Sequence, residues 1–142
     1  MRIASFCLAA AALAATTAAA AGTMKDAQHH IRAVASGKID NIMAAYSNNA
    51  HFEWVGGPLD GTYIGTNQIR GVWTKFAHAV APVDVKIANL EENANPAGTT
   101  VTANVEFQAR KPIKVRYVLQ YRHGKLVDEI WQIDPNLEVA RY

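Results

Sequence analysis

The 142-residue sequence contains one cysteine, Cys7, and it sits inside an apolar run near the N-terminus. A disulfide framework is excluded by count, and a cysteine-based metal site with it. Charge is scarce too: 18% of residues are charged, 14 basic against 12 acidic, for a formal +2. No block of Lys and Arg could track phosphates, so neither nucleic acid nor stable association with a membrane is expected. Beyond the N-terminal segment there are no repeats, no low-complexity tracts and no linker. What is present is a 50% hydrophobic chain, a globular composition long enough for one domain held by core burial.

Residues 1–21, MRIASFCLAAAALAATTAAAA, pair Arg2 with an apolar stretch from Ile3 to Ala15 and a small-residue tail ending in Ala19-Ala20-Ala21. That order is expected of an export signal cut near Ala21, and the stretch is too short for a membrane span. Cys7 precedes the cut, which argues against lipidation. The expectation is a signal peptide over 1–21, a single domain over 22–142, and a periplasmic or secreted product.

Hydrophobic periodicity then divides the chain. Ala27, Ile31, Val34 and Ala35 predict a helix from about Met24 to Ser36, closed by Gly37. Ile39, Ile42, Met43 and Tyr46 predict a second, short helix. His51–Val55 and Thr62–Gly65 alternate as brief strands around Gly56-Gly57-Pro58. Thr66 offers an N-cap to a third helix with a stripe of Ile69, Val72, Trp73 and Phe76. After Pro82 the period becomes two, predicting strands over 83–91, 99–110, 113–123 and 125–134 with breaks short enough for hairpins. Helices followed by a strand meander predict an α+β domain.

The run ASGKIDNIMAAYSNNAHFEWVGGPLDGTYIGTNQIRGVWTKFA resembles the N-terminal half of the nuclear transport factor 2-like superfamily. YRHGKLVDEIWQID is similar to the closing hairpin of its SnoaL-like and ketosteroid isomerase-like members, and Phe107–Lys111 resembles a late hairpin of the isomerases. The resemblance covers nearly all of residues 25–135. It implies a cone of three N-terminal helices on a strongly curved, mainly antiparallel sheet, a pocket at the wide end, and a homodimer through the sheet's outer face.

The resemblance also supplies candidate residues. The isomerases' first-helix tyrosine falls on His30, their aspartate base on Trp54, and their late-strand aspartate on Val118. Indole cannot abstract a proton, so steroid isomerisation by that mechanism is not expected. Tyr46, Trp54, Trp73, Phe107 and Trp131 fall at pocket-lining positions, with His30 as the chief hydrogen-bonding group of the cavity. The family's register points Arg116, Val118 and Gln120 inward with Ala103, Val105, Phe107, Glu129, Trp131 and Ile133, which would make Arg116 and Gln120 ligand contacts. It leaves Tyr117, Leu119 and Tyr121 outward as an apolar dimer patch. Hydrophobicity alone favours the opposite face for that strand. An inward Arg116 and Glu129 would have to pair with each other or with a ligand. Asp134 stands where some related cyclases carry their catalytic acid. Arg110-Lys111 and Lys114 read as solvated hairpin tips.

Two functions are open on these grounds. One is an exported SnoaL-like protein that holds a small apolar or aromatic molecule without chemistry. The other is an isomerase, cyclase or dehydratase using His30 with Glu129 or Asp134 on a carbonyl substrate. Neither calls for a cofactor. The dispersed histidines give no metal site, since His29 and His30 diverge by about 100° on a helix.

Overall fold

A computed structural model describes the backbone of residues 11–139 and the side chains of residues 22–139. Three helices precede and interrupt the strands: α1 (Ala11–Ser36), α2 (Ile39–Met43) and α3 (Gly65–Val80). Six strands follow the order β1 (Tyr46–Val55), β2 (Gly61–Ile64), β3 (Val85–Asn95), β4 (Gly98–Phe107), β5 (Ile113–Arg122) and β6 (Lys125–Ile133). They form one sheet in the spatial order β2-β1-β6-β5-β4-β3, antiparallel except where β1 runs parallel to β6.

The α+β architecture and the meander after Pro82 match the sequence pattern. β3 runs on to Asn95 instead of ending at 91, β4 ends at Phe107 instead of 110, and three further boundary differences have a local cause. Helix α1 is already formed at Ala11, ahead of Met24, because the alanine-rich stretch is a strong helix former. The expected signal segment lies within that helix over 11–21, and its residues 1–10 fall outside the described ones. Helix α2 ends at Met43, so Tyr46 opens β1 instead of closing a helix. Thr66 does not cap α3: the cap position is Ile64, whose N–H donates to Gln68 Oε1 at 2.9 Å in the first turn.

Gly37 terminates α1 for a steric reason. It adopts φ +74°, its N–H donates to Ala33 O at 3.1 Å, and a Cβ there would lie 2.6 Å from that of Ala81. The chain can therefore turn into α2 only while α1 and the end of α3 touch.

Helices α1 and α3 lie on the concave face of the sheet. Their apolar stripes, Ala27–Ile31–Val34 and Ile69–Val72–Trp73–Phe76, meet the buried faces of the strands. On β4 those are Val101, Ala103, Val105 and Phe107; on β5 they are Val115, Tyr117, Leu119 and Tyr121. The β5 face corrects the register implied by the resemblance. Ala103 pairs with Tyr117 and Tyr117 with Trp131, so the odd-numbered residues of β5 share the inner face. Arg116, Val118 and Gln120 point to the outer side. A shift of one residue exchanges the faces, and hydrophobicity decides which is inside.

The stripe expected to form a dimer patch is thus in the core. On the outer face the C-terminal segment returns over the sheet, packing Leu137 and Val139 against Ala88 of β3. No helix among the described residues is long and apolar enough to cross a membrane.

Candidate functional site

The deepest polar group in the fold is Glu129, on β6 between inward-facing Trp131 and the hairpin. Its carboxylate is 1% exposed and is met by three donors. Tyr46 from β1 donates its hydroxyl to Oε1, and Tyr117 from β5 donates to Oε2. His30 from α1 places Nε2 2.8 Å from Oε2 and is itself 1% exposed. Trp73 Nε1 of α3 completes the chain by donating to Tyr46 Oη at 2.8 Å. A buried carboxylate requires this degree of satisfaction, and here four elements supply it.

The surroundings hold the phenols in their protonated, donating form. Burial is the largest cause raising both Tyr46 and Tyr117 well above the ordinary tyrosine value, and the adjacent Glu129 charge adds to it. Tyr121, at the edge of the cluster, is raised by burial, then by Glu129 and Asp26. With the imidazole proton on Nε2, His30 donates to Glu129 and leaves Nδ1 as an acceptor with no protein partner. His30 also forms part of the wall of a cavity of about 240 Å³ at the narrow end of the fold, with Asp26, His29, Asn41, Tyr121 and Gly124.

Above this cluster the cone is filled by aromatic rings. Phe52 stacks on Trp73 at 5.0 Å between centroids, and Phe107 stacks on Trp131 at 5.0 Å. Trp54 lies 4.7 Å from Trp131, and Phe76 meets Trp54, Trp73, Phe107 and Trp131 edge-on or tilted. The aromatic residues that the resemblance placed along a cavity are therefore packed largely against one another. The open space lies beyond them, at the wide mouth. It measures about 810 Å³, is floored by Trp54 and Phe76, and is walled by Val80, Val83, Ile113 and Ile133.

The expected site residues therefore part company. His30 and Glu129 come together, with Tyr46 and Trp73 bonded to them as polar partners. Asp134 does not join them: it lies beyond β6, 3.7 Å from Arg116 on the outer side and accepting from the Asn136 N–H at 3.1 Å. The expected pairing of Arg116 with Glu129 is replaced by this exposed pair. Gln120 is likewise on the outer face, opposite Asp128. Of the aromatic set only Trp54 reaches the large pocket; Phe107 and Trp131 are fully buried behind it. The isomerase position carried onto Val118 also shifts, because Val118 faces outward and the inner face at that level holds Tyr117 and Leu119.

Tyr117 faces inward, as hydrophobicity alone favours and against the register implied by the resemblance. Arg110 and Lys111, read as a solvated tip, line the mouth of the pocket, together with Lys75 and Lys114. No cluster of three His, Cys, Asp or Glu suited to a metal ion occurs among the described residues.

The arrangement has counterparts of known fold. A nuclear transport factor 2-like protein of unknown function from Pseudomonas putida superimposes with a TM-score of 0.73 at 17% identity, covering 87% of this chain and 92% of that one. A putative ketosteroid isomerase from Parabacteroides distasonis gives 0.61 at 16% identity over 75% and 83%. A hypothetical protein with a ketosteroid isomerase-like fold from Catenulispora acidiphila, solved in complex with trimethylamine, gives 0.60 at 11% identity over 78% and 85%. No curated protein is similar enough to the chain to count as a match. The SnoaL-like domain model matches residues 27–129, from the first core residue of α1 to the carboxylate at the centre of the polar cluster. With the helices, the six-stranded curved sheet and that match in agreement, the chain belongs to the SnoaL-like domain family.

Proposed function

We propose that this is an exported binding protein that holds a small, largely apolar molecule at the wide mouth of its cone. The observation that carries the reading is the pocket of about 810 Å³ floored by Trp54 and Phe76, with Val80, Val83, Ile113 and Ile133 around it. That volume falls within the range of about 300–1,000 Å³ usual for small-molecule sites, and its walls are of the usual kind. No acid–base pair stands in the mouth. Export is compatible with the fold, since among the residues whose side chains are described the first buried one is Ala27, beyond the cut expected near Ala21. Mass measurement of the mature species checks that cut.

Titration with N-phenylnaphthylamine, a neutral apolar fluorophore, tests the binding. Saturable enhancement at one site is expected, abolished by Ala79→Trp, which fills the mouth from an exposed position on α3. Absence of saturation in the wild-type protein overturns the reading.

A second reading has one specific observation behind it. His30 Nδ1 has no protein partner, and His30 borders the narrow-end cavity of about 240 Å³. An enzyme would use that imidazole on a small carbonyl compound. Deuterium exchange alpha to the carbonyl of acetone, dependent on His30, is the result expected of it; equal rates with His30→Ala exclude it.

Self-association through the outer sheet face, if it occurs, has to use Val118 and Ile130, which pair across β5 and β6, because the tyrosine stripe is internal. Ile130 is 42% exposed. Light scattering on wild type and Ile130→Glu decides it: a dimer converted to monomer supports this face, and a monomeric wild type removes it.

A further inference from the structure

We infer that the molecule held at the mouth is an amphipathic anion: an apolar body that enters the aromatic-floored pocket and one anionic head, such as a carboxylate or sulfonate, that stays at the rim. The inference rests on the binding reading above and adds the chemical class of the ligand.

Charge distribution points to it. The pocket lining includes Lys75 from α3, Arg110 and Lys111 from the β4–β5 connection, and Lys114 at the start of β5, and no acidic side chain. The whole chain is nearly balanced, at 14 basic against 12 acidic residues, so a mouth with four cations and no carboxylate is a local concentration. Lys114 is the least available of the four, because it pairs in register with Glu106 on the outer side of the sheet. Lys75, Arg110 and Lys111 are exposed, and among the described residues none of them has an acidic partner within ion-pair distance.

Their setting distinguishes them from scattered surface lysines. They border low-dielectric walls, where the field of fixed charges is focused instead of dispersed into water. The connection that carries Arg110 and Lys111 is also tethered. Gln108 N–H donates to Asp84 O at 2.9 Å, Ala109 N–H donates to Phe107 O at 2.9 Å, and Pro112 restricts the return into β5. Two cations on a held loop and a third across the mouth on α3 converge on the same opening. A neutral apolar ligand would make no use of them. A ligand with an acidic end satisfies both surfaces, burying its body against Trp54, Phe76 and Val80 while its head accepts charge-assisted hydrogen bonds.

The test compares two fluorophores with the same aromatic body, anilinonaphthalene sulfonate and neutral N-phenylnaphthylamine, on the folded full-length protein. The sulfonate should bind about tenfold more tightly, the equivalent of one good charge-assisted contact, and lose that advantage in high salt. The double variant Arg110→Gln/Lys111→Gln should bring the sulfonate down to the neutral probe's affinity and leave the neutral probe unchanged. Lys125→Gln, which removes the same type of charge at the far hairpin, should change neither.

Equal affinities for the two probes, insensitive to the double variant, overturn the anion and leave the apolar site standing. If neither probe saturates, the binding reading itself fails. Sedimentation with phosphatidylglycerol vesicles closes the remaining route. Vesicle binding that depends on Arg110 and Lys111, without saturable sulfonate binding, assigns the cations to a membrane surface and overturns the proposal.

Discussion

The two ends of the cone are built on opposite principles. At the narrow end a carboxylate, an imidazole and two phenols are packed together, bonded to one another and nearly closed to solvent. At the wide end a pocket about three times larger by volume has apolar walls, a basic rim and no group placed for acid–base work. Between them lie six aromatic side chains. The titratable cluster and the accessible space are separate, so a polar residue at a family's catalytic position is not by itself evidence of catalysis. In this chain His30 and Glu129 join α1 to β6, and the pocket at the mouth is lined by other residues.

Substitutions can break that contrast or sharpen it. The largest effect is expected of Trp131→Ala, which removes the ring that touches Trp54, Trp73, Phe76, Phe107 and Tyr117. A loss of about 3–5 kcal/mol in chemical denaturation is expected for such a deletion. A loss below about 1 kcal/mol would mean that the rings do not form a packed partition.

Glu129→Leu comes next. It strands His30, Tyr46 and Tyr117 without their shared acceptor, and should cost on the order of 3 kcal/mol. Binding of N-phenylnaphthylamine to the folded fraction should be unaffected; a parallel loss of binding would show the two ends to be coupled. Tyr46→Phe removes one donor to Glu129 and the acceptor of Trp73 Nε1, for an expected cost of about 1–2 kcal/mol by the same denaturation assay.

Alkaline pH probes the narrow end without mutation. Tyr46 and Tyr117 have folded-state values raised above the ordinary 10.0, so the unfolded chain releases these protons first. Their contribution to stability is complete below about pH 10 and is lost as pH climbs from there toward the raised values. Denaturation midpoints should be insensitive to these groups through neutral pH and should fall above it. The phenolate absorbance of the two residues should appear only with unfolding. Phenolate formation in the folded protein near pH 10 would mean that the cluster is open to water. The smallest stability effect belongs to the rim: Arg110→Gln and Lys111→Gln should each stay within about 0.5 kcal/mol of wild type, as exposed substitutions do.

Much of this was legible in the sequence. The stripe Ile69–Val72–Trp73–Phe76 located α3, and alternation located β3 to β6 to within a few residues. Glu129 faces inward, as the register implied by the resemblance has it, on the side of β6 that carries Trp131. The error on β5 came from preferring a family register over the strand's own pattern, in which Val115, Tyr117, Leu119 and Tyr121 are the more apolar set. The place of Asp134 beside Arg116 was not legible, because a strand end gives no periodicity by which to orient a side chain. The rim was beyond reach for a different reason. That Arg110 and Lys111 lie at the mouth depends on how far the sheet curves, and a period of two does not encode curvature.

The parallel pairing of β1 with β6 bears on the order in which the chain can assemble. Strand β1 waits for a neighbour that arrives almost 80 residues later, and two of the three donors to Glu129 come from positions 30 and 46. Contacts of such sequence separation form slowly, because the intervening chain must be gathered before they repay its lost freedom. An emerging N-terminal half has helices and a two-stranded ribbon, but nothing to close them. A nascent chain therefore lacks the contacts that close its fold until the final hairpin is available.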